Sequence, residues 1–349
     1  MRILHSGPTI TQEDIHAVTE VLKSKHLEDG MMVEQFEDRM KNLIGRQYAV
    51  ATTNGFSAIH LTLIALKVKE NDEVIIPSYT CPALLNPVLL LKAKPVFADI
   101  AEGSFNISYQ TIKDKITTKT KAIIVPHTFG FPADVREIES LGIPVVEDCA
   151  QSLGGRLESK RLGSLTDASI FSFYATKMIT SGDGGMILTD DKEIYETAKN
   201  YRYYGHKRNH QQVAFSYHLT NLPAALGVSQ LGRIDDWIDK RKKLAGIYDH
   251  HFKGFENTGI DFENRQDAIY FRYPIYVGNR DDLKEKLKEK DIYTGYGVLE
   301  GLHQLQGLPD NQYPNTSNYL KHILSLPIYP SLEETDIERI ATQVLNILK

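Results

Sequence analysis

The chain has 349 residues, of which 42% are apolar and 24% are charged, a composition typical of a globular protein with one large and one smaller domain. The formal net charge of -5 gives no electrostatic reason to expect a nucleic acid or an anionic membrane as a partner. The basic run at 240–243 is flanked by acidic residues at helical spacing, which indicates a solvated helix face.

The two cysteines, Cys81 and Cys149, lie in apolar surroundings and lack metal-ligand spacing. So few cysteines argue against a disulfide framework and favour a reducing compartment. The first residues lack the apolar core of a secretory signal, and the most apolar stretch, ALLNPVLLL, is too short to span a bilayer. We therefore expect a cytoplasmic protein without a membrane or nucleic-acid partner.

The first predicted element is a helix in TQEDIHAVTEVLKSKHL, which we expect to pack back on one of the domains. Seven strand candidates follow: YAVATT, EVIIPS, KPVFADI, KAIIVPHT, IPVVEDCA, ASIFSFY and GGMILTD. Several are continuous apolar runs, typical of strands buried on both faces of a sheet. Helical stretches such as SAIHLTLIALKV and PALLNPVLLLKA alternate with them. This alternation predicts an α/β fold with a mainly parallel seven-stranded sheet flanked by helices.

The pattern changes in the last third of the chain. Residues 223–253 are predicted to form one long amphipathic helix. Strands are then predicted in GIDFEN, YFRYPIYV and IYTGYGV, and helices in DDLKEKLKEK and ETDIERIATQVLNILK. We therefore divide the chain into a large domain, residues 1–244, and a smaller α+β domain, residues 245–349.

Polar residues follow the ends of the predicted strands, where open α/β sheets bind their ligands. One of them, Asp148, ends the buried run IPVVEDCAQSLGG. A carboxylate there costs several kcal/mol unless a cation or hydrogen-bond donors meet it. It either caps the following helix or serves as the counter-ion of a protonated heterocycle or a metal. The histidines, His127 among them, are scattered without metal-binding spacing, so we expect no metal site.

The stretch TTNGFSAIHLTLIAL leads from a strand through a small-residue turn into a helix. Free backbone N–H groups at such a helix start form an anion site, although a plain helix start capped by Asn54 or Ser57 has the same pattern. The stretch is neither a Walker A loop nor GxGxxG, which disfavours nucleoside triphosphates and dinucleotides.

Lys177 lies in SFYATKMITSGDGG, between an apolar strand and a glycine-rich turn. It is either an exposed lysine in a hairpin-like connection or an amine held for chemistry. Pyridoxal 5'-phosphate (PLP) needs an amine, a carboxylate for its pyridine nitrogen and donors for its phosphate. Lys177, Asp148 and the helix start near Gly55 supply all three, so the sequence predicts a PLP site.

Seven ordered motifs run through nearly the whole chain: LEDGMMVEQFE, NDEVIIPSYT…AKPVFADI, AIIVPHTFGFPADV, VVEDCAQSLGG, FSFYATKMITSGDGGMILT, NLPAALGVSQLGRID and LSLPIYPSLEETDI. With these motifs the chain resembles the DegT/DnrJ/EryC1/StrS family of PLP-dependent sugar aminotransferases. The resemblance implies the type I aminotransferase fold and a homodimer with active sites at the subunit interface.

The resemblance also implies roles for single residues. Lys177 matches the lysine that forms a Schiff base with PLP, and Asp148 matches the partner of the pyridine nitrogen. Gln151 matches the residue near the ring hydroxyl of the cofactor, and Ser172 matches the serine that binds its phosphate.

At three further positions that correspond to family site residues, this chain departs from the family pattern. Gly55, Phe56 and Ser57 occupy the phosphate-binding helix start, but Phe56 stands where a threonine is common and leaves only backbone donation. His218, in SYHLTN, lies where relatives carry an Asn or Arg that reaches the phosphate of the neighbouring subunit. Cys81 replaces the aromatic residue that usually stacks on the pyridine ring.

The implied reaction is transfer of an amino group, with L-glutamate as the expected donor, onto a nucleotide-linked keto sugar. Such a reaction belongs to amino-sugar, surface-polysaccharide or secondary-metabolite biosynthesis. Three alternatives stay open: a PLP-dependent sugar dehydratase, an aminotransferase for an inositol-type ketone, and a non-catalytic sugar-binding or regulatory protein. Dehydratases of this family replace the lysine by histidine, and non-catalytic members should lose the lysine or the aspartate, whereas Lys177 and Asp148 are both present.

Overall fold

A computed structural model describes residues 2–204, 213–254 and 265–349 of the chain. Its strands are β1 (Tyr48–Thr52), β2 (Glu73–Pro77), β3 (Lys94–Ala98), β4 (Thr120–Pro126), β5 (Val145–Asp148), β6 (Arg156–Leu157), β7 (Lys160–Arg161), β8 (Ala168–Ser172), β9 (Gly185–Thr189), β10 (Tyr273–Tyr276), β11 (Gly295–Tyr296) and β12 (Ile323–Leu326).

The α-helices are α1 (Gln12–Ser24), α2 (Met31–Ile44), α3 (Gly55–Ala65), α4 (Leu85–Leu90), α5 (Tyr109–Ile112), α6 (Val135–Glu139), α7 (Lys192–Arg202), α8 (Asn221–Leu231), α9 (Ile234–Phe252), α10 (Arg280–Lys288), α11 (Leu302–Leu305), α12 (Pro314–His322) and α13 (Glu334–Leu348). Short 3-10 helices span Lys113–Lys115, Thr128–Gly130, Arg265–Asp267 and Asp310–Gln312.

The large sheet has seven strands in the order β1-β9-β8-β5-β4-β2-β3. The neighbours from β8 to β3 pair in parallel, whereas β9 pairs antiparallel with both β1 and β8. The structure confirms the predicted mainly parallel sheet. Six of its strands lie within predicted runs, and β4 begins at Thr120, one residue before the predicted run KAIIVPHT. The carboxyl ends of β1, β2, β4, β5 and β8 therefore lie along the same edge.

Apolar side chains cover both faces of this sheet. Helix α3 is buried along nearly its whole length, because it lies between β8 and β9 on one side and α4 and α7 on the other. This explains why its sequence is apolar all round rather than amphipathic. A second apolar cluster joins α2 and α8 to the opposite side of the sheet through Phe36, Phe171 and Phe173.

The prediction of a single helix over residues 223–253 is wrong. The chain forms two helices, α8 and α9, separated by Gly232 and Arg233. Glycine has a low helix propensity, and the break lets α8 pack on α1 and α2 while α9 packs on α13. At the same break Arg233 forms ion pairs with Glu13 and Asp14 of α1.

The predicted N-terminal helix is confirmed as α1, and it packs on α8. Asp14 caps the start of α1 by accepting a hydrogen bond from the Thr11 N–H at 2.9 Å, and it also accepts one from the Ser229 hydroxyl at 2.7 Å. Among the described helices, none combines the length and apolar content that a membrane crossing requires.

A second sheet lies in the last third of the chain, in the order β10-β12-β11, with antiparallel pairs. Strands β10 and β11 lie within predicted runs, strand β12 was not predicted, and GIDFEN lies outside the described residues. The proposed boundary at 244/245 falls inside the continuous helix α9. The first half of α9 packs into the apolar cluster on the large sheet, and its second half packs into the apolar cluster that contains β10 and β12. The division into two domains stays a prediction.

Candidate active site

A cavity of about 260 Å³ opens at the carboxyl edge of the large sheet. Seven of the nine predicted site residues line it: Gly55, Phe56, Cys81, Asp148, Gln151, Ser172 and Lys177. They come from the ends of β1, β2, β5 and β8, so the parallel topology brings together positions that are far apart in the sequence.

Lys177 lies in the turn between β8 and β9, where its backbone N–H donates to the Tyr174 carbonyl at 2.9 Å. Its side chain is half-buried, and Nζ lies 5.4 Å from the centroid of the Phe271 ring. Burial lowers the pKa of the Lys177 amine, Asp148 and Cys81 oppose this effect, and the Arg272 guanidinium adds to it. Among the described residues none forms an ion pair with Lys177. Its amine is therefore available inside the cavity.

Asp148 is the last residue of β5, and only 6% of its surface is exposed. Its Oδ1 accepts a hydrogen bond from the Ala150 N–H at 2.9 Å, while Oδ2 has no partner among the described residues. Burial raises the pKa of the Asp148 carboxyl, and the Ala150 N–H and Lys177 oppose this effect. A buried carboxylate with one open oxygen favours a cationic N–H group beside it.

The start of α3 is capped by Asn54, whose Oδ1 accepts from both the backbone N–H and the hydroxyl of Ser57 at 2.9 Å. Ser57 is only 1% exposed and does not line the cavity. Within the described chain, the backbone N–H groups of Gly55 and Phe56 are left as open donors of the first helical turn. A Cβ atom at position 55 would lie 3.0 Å from Ser172 Cβ, so the Ser172 hydroxyl is held close beside these donors. Together they form a cradle for an anion.

Gln151 and Cys81 form the wall of the cavity toward the C-terminal part of the chain. The Gln151 Oε1 accepts from the Phe129 N–H at 2.8 Å, which leaves the amide nitrogen free to donate. The Cys81 thiol is exposed, and the residue lines both this cavity and a second one of about 300 Å³. Thr80 and Gln151 also line both cavities, so the two spaces adjoin.

His218 does not line the cavity. It pairs with Thr52 through a β-bridge, and its ring centroid lies 4.1 Å from that of Tyr203. Its predicted role toward a neighbouring subunit stays a prediction, as do the cofactor contacts predicted for the other site residues.

A buried cluster of His127, Glu147 and Cys149 lies just behind the site. The Ala133 N–H donates to His127 Nδ1 at 3.0 Å, so the proton of the neutral ring is on Nε2, 3.1 Å from Glu147 Oε2. Glu147 also accepts hydrogen bonds from the backbone N–H groups of Gly163, Leu165 and Thr166 in the loop before β8. These hydrogen bonds engage both ring nitrogens of His127 and both carboxylate oxygens of Glu147, and they tie β5 to the loop before β8.

Four residues in the surroundings of Lys177 are not among the nine predicted site residues. Tyr174 and Asp183 line the cavity, and both lie within the SFYATKMITSGDGG motif, where their closeness to Lys177 was a usable signal. Phe271 and Arg272 approach Lys177 from beside β10. No local pattern marks them, because only the tertiary fold brings this strand to the large sheet.

A family model described as the DegT/DnrJ/EryC1/StrS aminotransferase family matches residues 8–345. GDP-perosamine synthase of Escherichia coli O157:H7 is 30% identical over 347 residues, covering 95% of this chain and 94% of the relative. The spore coat polysaccharide biosynthesis protein SpsC of Bacillus subtilis strain 168 is 30% identical over 378 residues, covering 99% of this chain and 97% of the relative.

Solved structures give the same result. DesV of S. venezuelae, in complex with a ketimine intermediate, has a TM-score of 0.92 at 28% identity and covers 97% of this chain and 94% of its own. The aminotransferase from Psychrobacter cryohalolentis has a TM-score of 0.91 at 26% identity, with 98% of each chain covered.

The family match and the solved structures show a PLP-dependent aminotransferase of the type I fold. The chain belongs to the DegT/DnrJ/EryC1/StrS aminotransferase family. It is therefore an enzyme, a sugar aminotransferase whose cofactor is PLP.

Proposed function

We propose that this enzyme transfers the amino group of L-glutamate onto a nucleotide-linked keto sugar, in the biosynthesis of an amino sugar for a surface polysaccharide or a secondary metabolite. The observation that supports the proposal most strongly is the Lys177 amine, which lines the same cavity as the buried Asp148. The names of the E. coli and B. subtilis relatives support the sugar and the polysaccharide.

The residues of the cavity fit PLP by their chemistry. Lys177 would hold the aldehyde carbon of the cofactor, and Asp148 Oδ2 would hold the pyridine N–H. The Gly55 and Phe56 N–H groups and the Ser172 hydroxyl would hold the phosphate. When bound, PLP supplies an electron sink that stabilises negative charge on the carbon next to the transferred nitrogen.

The chain itself moves the proton at that carbon. Burial lowers the pKa of Lys177, which favours the neutral amine that a base requires. The open Asp148 oxygen keeps its N–H partner protonated, because separating that proton would leave a buried carboxylate without a cation. Burial therefore shifts the pKa of both groups, downward for the Lys177 amine and upward for the Asp148 carboxyl.

The second cavity provides the space for the acceptor. It continues from Thr80, Cys81 and Gln151 to residues 297–300 of the C-terminal part, and it encloses about 300 Å³. Because it adjoins the Lys177 cavity, a sugar ring bound there would present its ketone toward the amine.

We also propose that the enzyme is a cytoplasmic homodimer with shared active sites. Met31 is 70% exposed, and Leu22 and Leu27 are also exposed. Met31 lines a groove of about 570 Å³ together with residues of α1, the start of α2 and Asn221. Large exposed apolar surfaces of this kind are typical of subunit contacts. A light-scattering mass equal to one chain, 39.5 kDa, would contradict the dimer.

The test of the reaction uses purified holoenzyme and its two half-reactions. L-glutamate should change the visible spectrum of the cofactor and release 2-oxoglutarate, and a panel of nucleotide-linked keto sugars should then restore the spectrum. Lys177→Ala should abolish both changes, whereas Lys69→Ala, at an exposed lysine, should leave them intact. Unchanged turnover in Lys177→Ala would refute the assignment.

A further inference from the structure

A chain of three hydrogen-bonded side chains joins the end of β2 to helix α11. The Ser78 hydroxyl hydrogen-bonds to Nδ1 of His303, and Nε2 of His303 lies 3.0 Å from Oδ1 of Asp310. Ser78 and His303 are completely buried, whereas the Asp310 side chain is 45% exposed. These three side chains, the His303 relay, connect segments that are 225 residues apart in the sequence.

The donors and acceptors in the His303 relay have a fixed direction. Hydrogen bonds from Gln304 and His303 lower the pKa of the Asp310 carboxyl, and an ionised carboxylate can only accept. In the neutral ring, Nε2 therefore donates to Asp310, and Nδ1 accepts from the Ser78 hydroxyl. The Ser78 oxygen accepts in turn from the His303 backbone N–H at 3.2 Å. The orientation of the imidazole is thus held at both nitrogens.

The same order of side chains occurs in Ser-His-Asp catalytic triads, in which the serine attacks a substrate. Ser78 is 0% exposed and lines neither the Lys177 cavity nor the second cavity. No substrate can therefore reach its oxygen, and the arrangement favours a positioning role over a nucleophilic one.

The His303 relay lies between two walls of the second cavity. Residues 80–82, which follow Ser78, form one wall, and residues 297–300, which precede α11, form another. The Ser78 carbonyl accepts from the Thr80 N–H at 3.1 Å and from the Leu302 N–H at 2.9 Å. One residue is therefore bonded to both walls, and its side chain is held by the relay.

We propose that the His303 relay sets the separation of these two walls and so determines how tightly the acceptor sugar binds. His303 is a positioning residue, because its ring is buried behind the cavity. This inference rests on the proposed function and deepens it, because it takes the second cavity as the acceptor site. Loss of one partner leaves a buried polar atom unsatisfied, and the ring and the walls then shift.

The test measures both half-reactions of the holoenzyme separately, with L-glutamate and with UDP-, dTDP- and GDP-linked 4-keto hexoses as probes. Ser78→Ala and Asp310→Ala each remove one hydrogen bond of the relay. Each should raise the KM of the reacting keto sugar about three- to tenfold and leave the KM and rate of the glutamate half-reaction unchanged. Asp310→Asn keeps an oxygen that accepts from Nε2 and should retain the wild-type KM.

Asp282→Ala is the matched control, because the Asp282 side chain on α10 is 46% exposed and pairs only with Lys286 on the surface. It should leave both half-reactions unchanged. Asp310 lies at the exposed end of the relay, so Asp310→Ala provides the test even if Ser78→Ala does not fold.

Hydrogen exchange of the holoenzyme reports on the walls without any acceptor. In Asp310→Ala the amides of residues 297–305 should exchange faster than in the wild type, while those of residues 168–189 around Lys177 should not. The inference is overturned if Asp310→Ala leaves either the exchange or the keto-sugar KM unchanged, or if Asp310→Asn is as impaired as Asp310→Ala. It is also overturned if the KM values of glutamate and the keto sugar rise together with a lower Tm.

A failure of the proposed function gives a different result. If the wild type reacts with glutamate but with none of the keto sugars, the proposed acceptor is wrong and the inference falls with it. If a keto sugar reacts and the relay variants retain its KM, only the positioning role is wrong.

Discussion

Gly185, the first residue of β9, lies against the start of α3, which forms part of the anion cradle. A Cβ atom built at this position would lie 2.7 Å from the Gly55 nitrogen and closer still to the Asn54 carbonyl, whereas ordinary contact begins at 3.4 Å. In Gly185→Ala the strand and the helix start must therefore separate by about 0.7 Å or more. Overpacking of this kind costs about 1–3 kcal/mol of the free energy of unfolding.

The displaced atoms include the Gly55 N–H, one of the proposed phosphate donors. Hydrogen bonds weaken steeply with distance and misalignment, so we expect Gly185→Ala to weaken PLP binding about tenfold. Fluorescence titration of the apo-protein with PLP measures this Kd, and thermal unfolding of the same sample measures the loss of stability.

Gly246→Ala is the matched control. Gly246 lies exposed inside α9, and a Cβ atom there would meet nothing within 4 Å. Alanine should therefore stabilise the helix by about 0.5–1 kcal/mol without changing PLP affinity. If Gly185→Ala bound PLP as tightly as the wild type and unfolded at the same temperature, the close packing of β9 on the cradle would be wrong.

Two further predictions concern single side chains. Ser172→Ala should weaken PLP binding about tenfold without lowering Tm, because it removes one hydrogen-bond donor to the phosphate. Ser140→Ala, on the surface, should leave PLP binding unchanged. If Ser172→Ala bound PLP as tightly as the wild type, the Ser172 contact would be excluded. His5 Nε2 lies 2.9 Å from Ser325 Oγ, and burial, with a contribution from Arg272, lowers the pKa of His5 from 6.5 to about 3. Between pH 6.5 and pH 3 the His5 ring is protonated in the unfolded chain but neutral in the folded chain. The free energy of unfolding should therefore fall as the pH drops from 6.5 toward 3. His5→Gln, which keeps a hydrogen-bonding side chain, should reduce the fall in Tm between pH 7 and pH 5; an identical fall would contradict the assigned pKa.

Most elements of the fold were predictable because their signals are local. The seven strands of the large sheet are short apolar runs, and α1 begins at a Thr11–Asp14 capping box that the sequence displays. The break between α8 and α9 was not predictable in this way, since the apolar pattern continues through it. Packing against α1 and α13, together with the ion pairs of Arg233, decides where the helix ends.

The candidate site also contains some residues that the sequence identified and some contacts that only the structure shows. Lys177, Asp148 and the start of α3 were recognisable because chemically distinctive residues follow strand ends. Ser57 shows the limit of that reasoning: the sequence left open whether Asn54 or Ser57 caps the helix, and the structure shows that Asn54 accepts from both the N–H and the hydroxyl of Ser57.

The sequence by itself determined the strand–helix alternation, the cofactor and the family, because apolar periodicity and ordered motifs are written along the chain. Only the tertiary structure decided which side chains share the cavity and what lies beyond the motifs. Lys177 Nζ and Arg272 Cζ lie 5.4 Å and 4.5 Å from the same Phe271 ring, because the segment before β10 packs into the apolar cluster on the large sheet. Such packing brings together residues that are far apart in the sequence, and no local pattern marks these contacts. The pKa shifts of Lys177 and Asp148 also depend on burial, which only the tertiary structure gives.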